Sequence, residues 1–132
     1  MNCLKGTIES LSVYENLTLA TIRVGDVRVK SIVIETPKTC SYLIVGKNIN
    51  VLFKETEVII GKGENISISL QNRFKCTIKH IERGVLLSKL TLSTQATEIY
   101  SIITTAAVQQ LELELAHEVV AMIKTNEIML SE

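Results

Sequence analysis

The sequence predicts a mainly β fold made of two small five-stranded barrels in tandem, each with one short helix. Three observations predict it. The first is composition: 132 residues, 46% hydrophobic but only 4% aromatic, with Ile, Leu and Val dominating and Thr frequent. Such a β-branched palette favours strands. The second is an internal repeat. Shifted by seventy residues, the chain aligns with itself without a gap from Asn2 to Ile60. The identities are Asn2/Asn72, Lys5/Lys75, Thr7/Thr77, Ile8/Ile78, Leu17/Leu87, Thr21/Thr91, Ser31/Ser101, Ile32/Ile102, Leu43/Leu113, Lys54/Lys124 and Glu57/Glu127, eleven in fifty-nine positions. Apolar pairs such as Leu4/Phe74, Leu11/Ile81, Ile22/Leu92, Val29/Ile99 and Ile49/Val119 extend the match, and a shared apolar pattern means shared core positions. The third is that breakers punctuate both copies at corresponding places. The expected repeats are 1–62 and 63–132, joined around "GKGENIS", Gly61 to Ser67, where Gly, Asn and Ser interrupt the pattern.

Each repeat reads alike. A strand is expected over Leu4–Val13 and over Phe74–Ile81, followed by a turn at "YEN" and at "ERG". Gly84 is placed to supply a positive φ in the second turn. "LTLATIRV" and "LLSKLTLS" form the next strand. In the first copy Gly25-Asp26 makes a tight turn into "VRVKSIVI"; in the second, "QAT" leads into "EIYSIIT". A short helix follows, "PKTCSYL" or "AAVQQLEL". Pro37 suits a helix's first turn, and Val108, Leu111 and Leu115 have helical spacing. Two final strands, "INVLFKETEVII" and "VVAMIKTNEIML", hold Lys54 and Lys124 and turn near Thr56 and Asn126. Five short strands and one helix suggest an OB-like barrel. A barrel of about sixty residues is marginal alone, so the copies are expected to pack on each other and on further chains.

Composition also excludes. Fourteen basic and fourteen acidic residues balance, and neither half is a basic module. A nucleic-acid surface calls for a basic stripe with aromatic platforms, so direct nucleic-acid binding is not expected. No apolar run reaches membrane-spanning length. Cys3, Cys40 and Cys76 are odd in number and lack metal spacing. They read as buried small hydrophobes in a cytoplasmic chain without a signal peptide.

No catalytic constellation is present, so the protein is not expected to be an enzyme. His80 and His117 have no nucleophile at recognisable spacing and no metal pattern. Glu112, Glu114 and Glu118 read as a solvated face. What remains is a set of small donors. "SISLQN" supplies Ser67, Ser69, Gln71 and Asn72; "SIITTAAV" supplies Ser101, Thr104 and Thr105; "IKTNE" supplies Lys124, Thr125 and Asn126. Hydroxyls, amides, N–H groups and one compact ammonium suit an oxyanion. The simpler alternative has Thr104 capping the helix and Lys124 reaching solvent.

At these residues the chain resembles the Mop-type (TOBE) molybdate-binding domain, in the two-repeat arrangement of the molbindins and of the paired C-terminal domains of the molybdate-responsive transcription regulator. "SLQNRFKCTIKHIERG" and "SIITTAAVQQLELELAHEVVAMIKTNEIML" carry the resemblance. It is stronger in the second copy than in the first. It implies OB-like units, a homo-oligomer (a trimer of two-repeat chains or a dimer) and molybdate or tungstate held at interfaces between units, with no covalent cofactor and metal present only as the oxyanion. The ligand residues it implies are Ser69, Asn72, Thr104, Lys124 and Thr125, with Gln71 at a substituted position and Lys54 as the most the first copy donates. The departures are Gln71 for an arginine, Ala107 for a serine, and Ile34, Glu35, Pro37 and Glu55 in the first copy. The expected role is non-catalytic binding for intracellular molybdenum storage or homeostasis. The alternatives are the ligand-sensing part of such a regulator, or an oligomerisation module that has lost anion binding.

Overall fold

The computed structural model describes residues 1–95 and 97–132. Among these residues ten strands form two five-stranded antiparallel sheets: β1 Asn2–Tyr14, β2 Leu17–Val24, β3 Val27–Val33, β4 Asn48–Phe53, β5 Ile59–Gly61, β6 Asn72–Arg83, β7 Leu87–Ser93, β8 Glu98–Thr104, β9 Glu118–Ile123 and β10 Met129–Ser131. The mainly β, two-unit architecture is the expected one. Strand order is β10-β4-β1-β2-β3 in one sheet and β5-β9-β6-β7-β8 in the other.

In each sheet one long strand serves two neighbours. The first part of β1 pairs with β4 and the second part with β2, with a bulge between Ile8 and Ser10. β6 does the same against β9 and β7, with its bulge between Ile78 and His80. An extra residue bends a strand and sharpens its twist, which lets a short sheet curl over its own core. Gly25, at φ 59, makes the two-residue hairpin between β2 and β3.

The fifth strand of each sheet comes from the other repeat. β10 pairs with β4, Leu130 opposite Val51. β5 pairs with β9, Ile60 opposite Ala121. The core is correspondingly continuous: Leu4, Ile22, Val51, Phe53 and Val58 belong to one buried cluster with Phe74, Leu92, Ala121, Ile123 and Ile128.

Several local expectations change. Only the second copy forms the helix: α1, Thr105–Gln110. In the first copy the Thr36 carbonyl accepts from the N–H groups of Thr39 and Cys40, and a single turn ends there. "AAVQQ" is rich in strong helix formers, whereas Thr39, Cys40 and Ser41 are weak ones. Because α1 stops at Gln110, Leu115 lies past it and is 59% exposed. Gly84 does not take a positive φ; a Cβ there would collide with the Leu87 carbonyl oxygen, so close approach is what requires glycine. The expected "QAT" loop includes Ala96, outside the described residues; on either side, the Thr94 N–H donates to the Thr97 carbonyl at 2.9 Å.

Cys40 and Cys76 are buried as expected, but Cys3 is exposed. Strand alternation turns Cys3 outward between buried Asn2 and Leu4. A maleimide applied to the native protein should therefore modify Cys3 and spare the other two, as peptide mass spectrometry would show. Burial pushes the Cys76 thiol from 9.0 up to about 11. A raised folded-state value means the stabilisation is complete below the unfolded value and is lost as pH rises through the folded one. Between about pH 9 and 11 this thiol should cost up to ~1.4 kcal/mol per pH unit. Urea unfolding of wild type and Cys76→Ala should show that part of the alkaline slope only in wild type.

Candidate functional site

Two seams join the repeats, and each is built the same way. In the first, the Asn72 side chain sits against the outer edge of β3. Its Oδ1 accepts from the Lys30 N–H at 2.7 Å, and its Nδ2 donates to the Lys30 carbonyl at 2.9 Å. The Ser31 hydroxyl donates to the Ile128 carbonyl at 2.9 Å. In the second seam Asn2 grips Tyr100 of β8 in the same two-bond manner, both at 2.8 Å, and Ser101 donates to the Val58 carbonyl at 3.0 Å. β3 and β8 are edge strands, whose outward N–H and C=O groups need partners when covered. The identities Asn2/Asn72 and Ser31/Ser101 therefore cap the exposed edge of each sheet with a side chain from the opposite repeat.

The lysines lie at these seams, just past the strands that the apolar runs suggested. β4 ends at Phe53 and β9 at Ile123, both fully buried; Lys54 and Lys124 follow and are exposed. Each is the N-cap of a single 3-10 turn, Glu55–Glu57 or Thr125–Glu127, with no side-chain capping bond. The Thr125–Glu127 turn packs on β3, and the Glu55–Glu57 turn on β8.

The structure groups five of the expected residues, Ser69, Gln71, Asn72, Lys124 and Thr125. The β6–β9 ladder ends at the pair Asn72–Ile123, so Gln71 and Lys124 leave the sheet side by side. Thr125 follows Lys124, half-buried, and Ser69 lies on the exposed arm just ahead of Gln71. Asn72 is fully buried and has one amide N–H beyond its two bonds to Lys30. Lys30, half-buried, stands beside Asn72 in this seam. Sequence reading passed over it; the only signal was a lysine between the core residues Val29 and Ser31.

Thr104 and Lys54 lie apart from that group. Thr104 pairs with Leu87, at the end of the second sheet opposite to Asn72. It N-caps α1, its hydroxyl accepting from the Ala107 N–H at 3.0 Å. Lys54 is in the second seam, which carries its own anion. The Met1 ammonium pairs with the Glu55 carboxylate and holds it below the usual carboxylate range, with a smaller contribution from Lys89. Glu55 stands where the first seam has Thr125.

A groove of about 780 Å³ is lined by residues including Gly63, Glu64, Asn65, Ile66, Arg73, Lys75, Thr77 and Glu118 and does not include Lys124 or Thr104. Among the described residues no group of His, Cys, Asp and Glu is arranged to hold a metal ion, and no helix is long and apolar enough to cross a membrane.

Residues 68–130 match the model of the TOBE domain. Over nearly its whole length the chain superposes on a solved structure of the cytoplasmic molybdate-binding protein ModG with molybdate bound. The TM-score is 0.91 at 28% identity, covering 98% of this chain and 94% of that one. Residues 68–130 are a TOBE domain. A molybdate-binding protein from Sporomusa ovata is 30% identical to this TOBE protein over 45% of the present chain and 88% of its own, with a TM-score of 0.43. Among curated proteins no sequence matches. The ModG structure, which this chain matches over nearly its whole length, is of a protein that binds molybdate.

Proposed function

We propose that this TOBE protein binds molybdate or tungstate as the intact oxyanion and holds it for molybdenum storage or homeostasis in the cytoplasm, using two repeats, 1–62 and 63–132. The observation that supports it is the Lys124–Thr125 step beside Gln71, in a chain that superposes end to end on a molybdate-bound protein. A tetrahedral dianion needs charge and several donors but no proton transfer. Lys124 brings a compact charge, Thr125 a hydroxyl and Gln71 an amide, at a place open to solvent. The nearby Lys30 adds positive potential, and no carboxylate replaces Thr125 as Glu55 does in the other seam.

Thr104 enters such a site only across a contact between chains, because one chain holds it and Lys124 at opposite ends of a sheet. The reading therefore includes a closed homo-oligomer, a trimer or a dimer, in which Thr104 of one copy faces Lys124 of another.

The test is calorimetric titration of anion-free protein with molybdate and tungstate, with sulfate and phosphate as controls. Saturable heat is expected for the first two. Lys124→Ala should weaken binding by about 2–3 kcal/mol, the scale of a lost hydrogen bond to a charged group, while Lys54→Ala has a smaller effect. If millimolar molybdate and tungstate give neither heat nor a thermal shift, the anion reading fails and an assembly module is left.

A further inference from the structure

The arm that precedes β6 is wrapped around a guanidinium. Arg73 Nε donates to the Leu70 carbonyl, Nη1 to the Ile66 carbonyl and Nη2 to the Ile68 carbonyl, each at 2.7 Å. Three of its five N–H donors are thus committed to alternate carbonyls of one short segment. The segment has little else to hold it. Ser67, Ile68, Ser69 and Gln71 are exposed, and only Leu70 is buried, with Ile66 half-buried.

The geometry of the peptide unit gives this grip a second effect. Among the described residues the peptide bonds are trans, and in a planar trans peptide the C=O and the following N–H point in opposite directions. Carbonyls 66, 68 and 70 face the guanidinium, so the N–H groups of Ser67, Ser69 and Gln71 are turned away from it, outward. Among the described residues none of these three N–H groups has a hydrogen-bond partner. The last of them leads into Asn72, whose ladder partner Ile123 precedes Lys124. A positive charge behind the carbonyls also polarises each peptide so that its N–H becomes a better donor.

We propose that Arg73 is the positioning residue of the anion site: it shapes the 66–71 arm so that the Ser69 and Gln71 N–H groups face the oxyanion held at Lys124. The inference rests on the anion-binding reading above and adds to it two main-chain donors and the residue that aims them. Arg73 itself does not touch the anion. Lysine cannot replace it, because one ammonium does not span three carbonyls in a fixed fork.

The experiment is amide NMR of the full-length, uniformly ¹⁵N-labelled protein titrated with sodium molybdate. The Ser69 and Gln71 amide signals should move saturably, in step with Thr125. In Arg73→Lys the Ser69 and Gln71 movements should be lost and affinity should fall about tenfold, the scale of a lost supporting contact, with the Thr125 movement retained at higher anion concentration. If Thr125 moves in wild type while Ser69 and Gln71 do not, the anion reading stands and the role of Arg73 is overturned; this arm needs no variant to fold. Wild-type affinity and movements in Arg73→Lys also overturn it, since charge without the three-carbonyl grip would then suffice. If no amide moves, both readings fall together.

Discussion

Removing Ile128–Glu132 should unfold the first sheet, although every residue of β1 to β4 would remain. The deleted segment contains β10, the strand that covers the outer edge of β4 with Met129 opposite Leu52, Leu130 opposite Val51 and Ser131 opposite Asn50. It also contains Ile128, 3% exposed, whose carbonyl accepts from the buried Ser31 hydroxyl. Full burial of one isoleucine is worth about 1.5–3 kcal/mol. Leaving the Ser31 hydroxyl without its acceptor costs about 1–3 kcal/mol more. With the ladder and Leu130 added, the loss is about 5 kcal/mol or greater, which approaches the total stability of a small domain, about 5–15 kcal/mol. Circular dichroism of the truncated chain should show loss of a cooperative melt. The second sheet keeps β5 and its own four strands, yet its edge strand β8 relies on Asn2, so it should loosen as well. A truncated chain that melts with native cooperativity would mean that β10 is a decoration rather than part of the sheet.

Asn72→Ala should destabilise the protein by about 2–4 kcal/mol whether or not any anion is present. Asn72 is fully buried, and its amide closes a two-bond contact with the Lys30 backbone across the seam. Alanine leaves one N–H and one C=O of β3 without partners, each at about 1–3 kcal/mol when buried. Asn2→Ala removes the equivalent contact at Tyr100 and should cost a similar amount. The two losses fall in separate seams that hold the same pair of repeats together, so they are not expected to add simply. The double variant should be largely unfolded at 37 °C. Urea denaturation of the two single variants distinguishes this role from a purely ligand-binding one. If Asn72→Ala lost anion affinity and kept full stability, the clamp would be unimportant and the side chain would serve the ligand.

These two expectations mark what was legible. The repeat could be read because its identities fall at a constant offset, and strand positions followed from alternation and from breakers such as Gly25-Asp26. The importance of Asn2/Asn72 was legible too, but its physical meaning was not. A buried asparagine that caps a sheet edge and one that binds an anion look the same in sequence. The lysines show the same limit. Apolar residues on both sides of Lys54 and Lys124 suggested ammonium groups within strands, whereas each strand stops one residue earlier and the lysine starts an exposed turn.

The class of fold, the two-copy plan and the concentration of donors in the second copy can be read from residue order alone, because local periodicity and residue chemistry are properties of short segments. Which partner each segment meets is set by the folded arrangement. Three-residue strands such as Ile59–Gly61 and Met129–Ser131 carry no mark of the sheet they will join, and in the fold each completes the sheet of the other repeat. The same exchange separates Thr104 from Lys124, sets Lys30 beside Asn72, and leaves Arg73 to hold the arm that carries Ser69 and Gln71. Those are long-range relations between distant backbone groups, and hydrophobic pattern is silent about them.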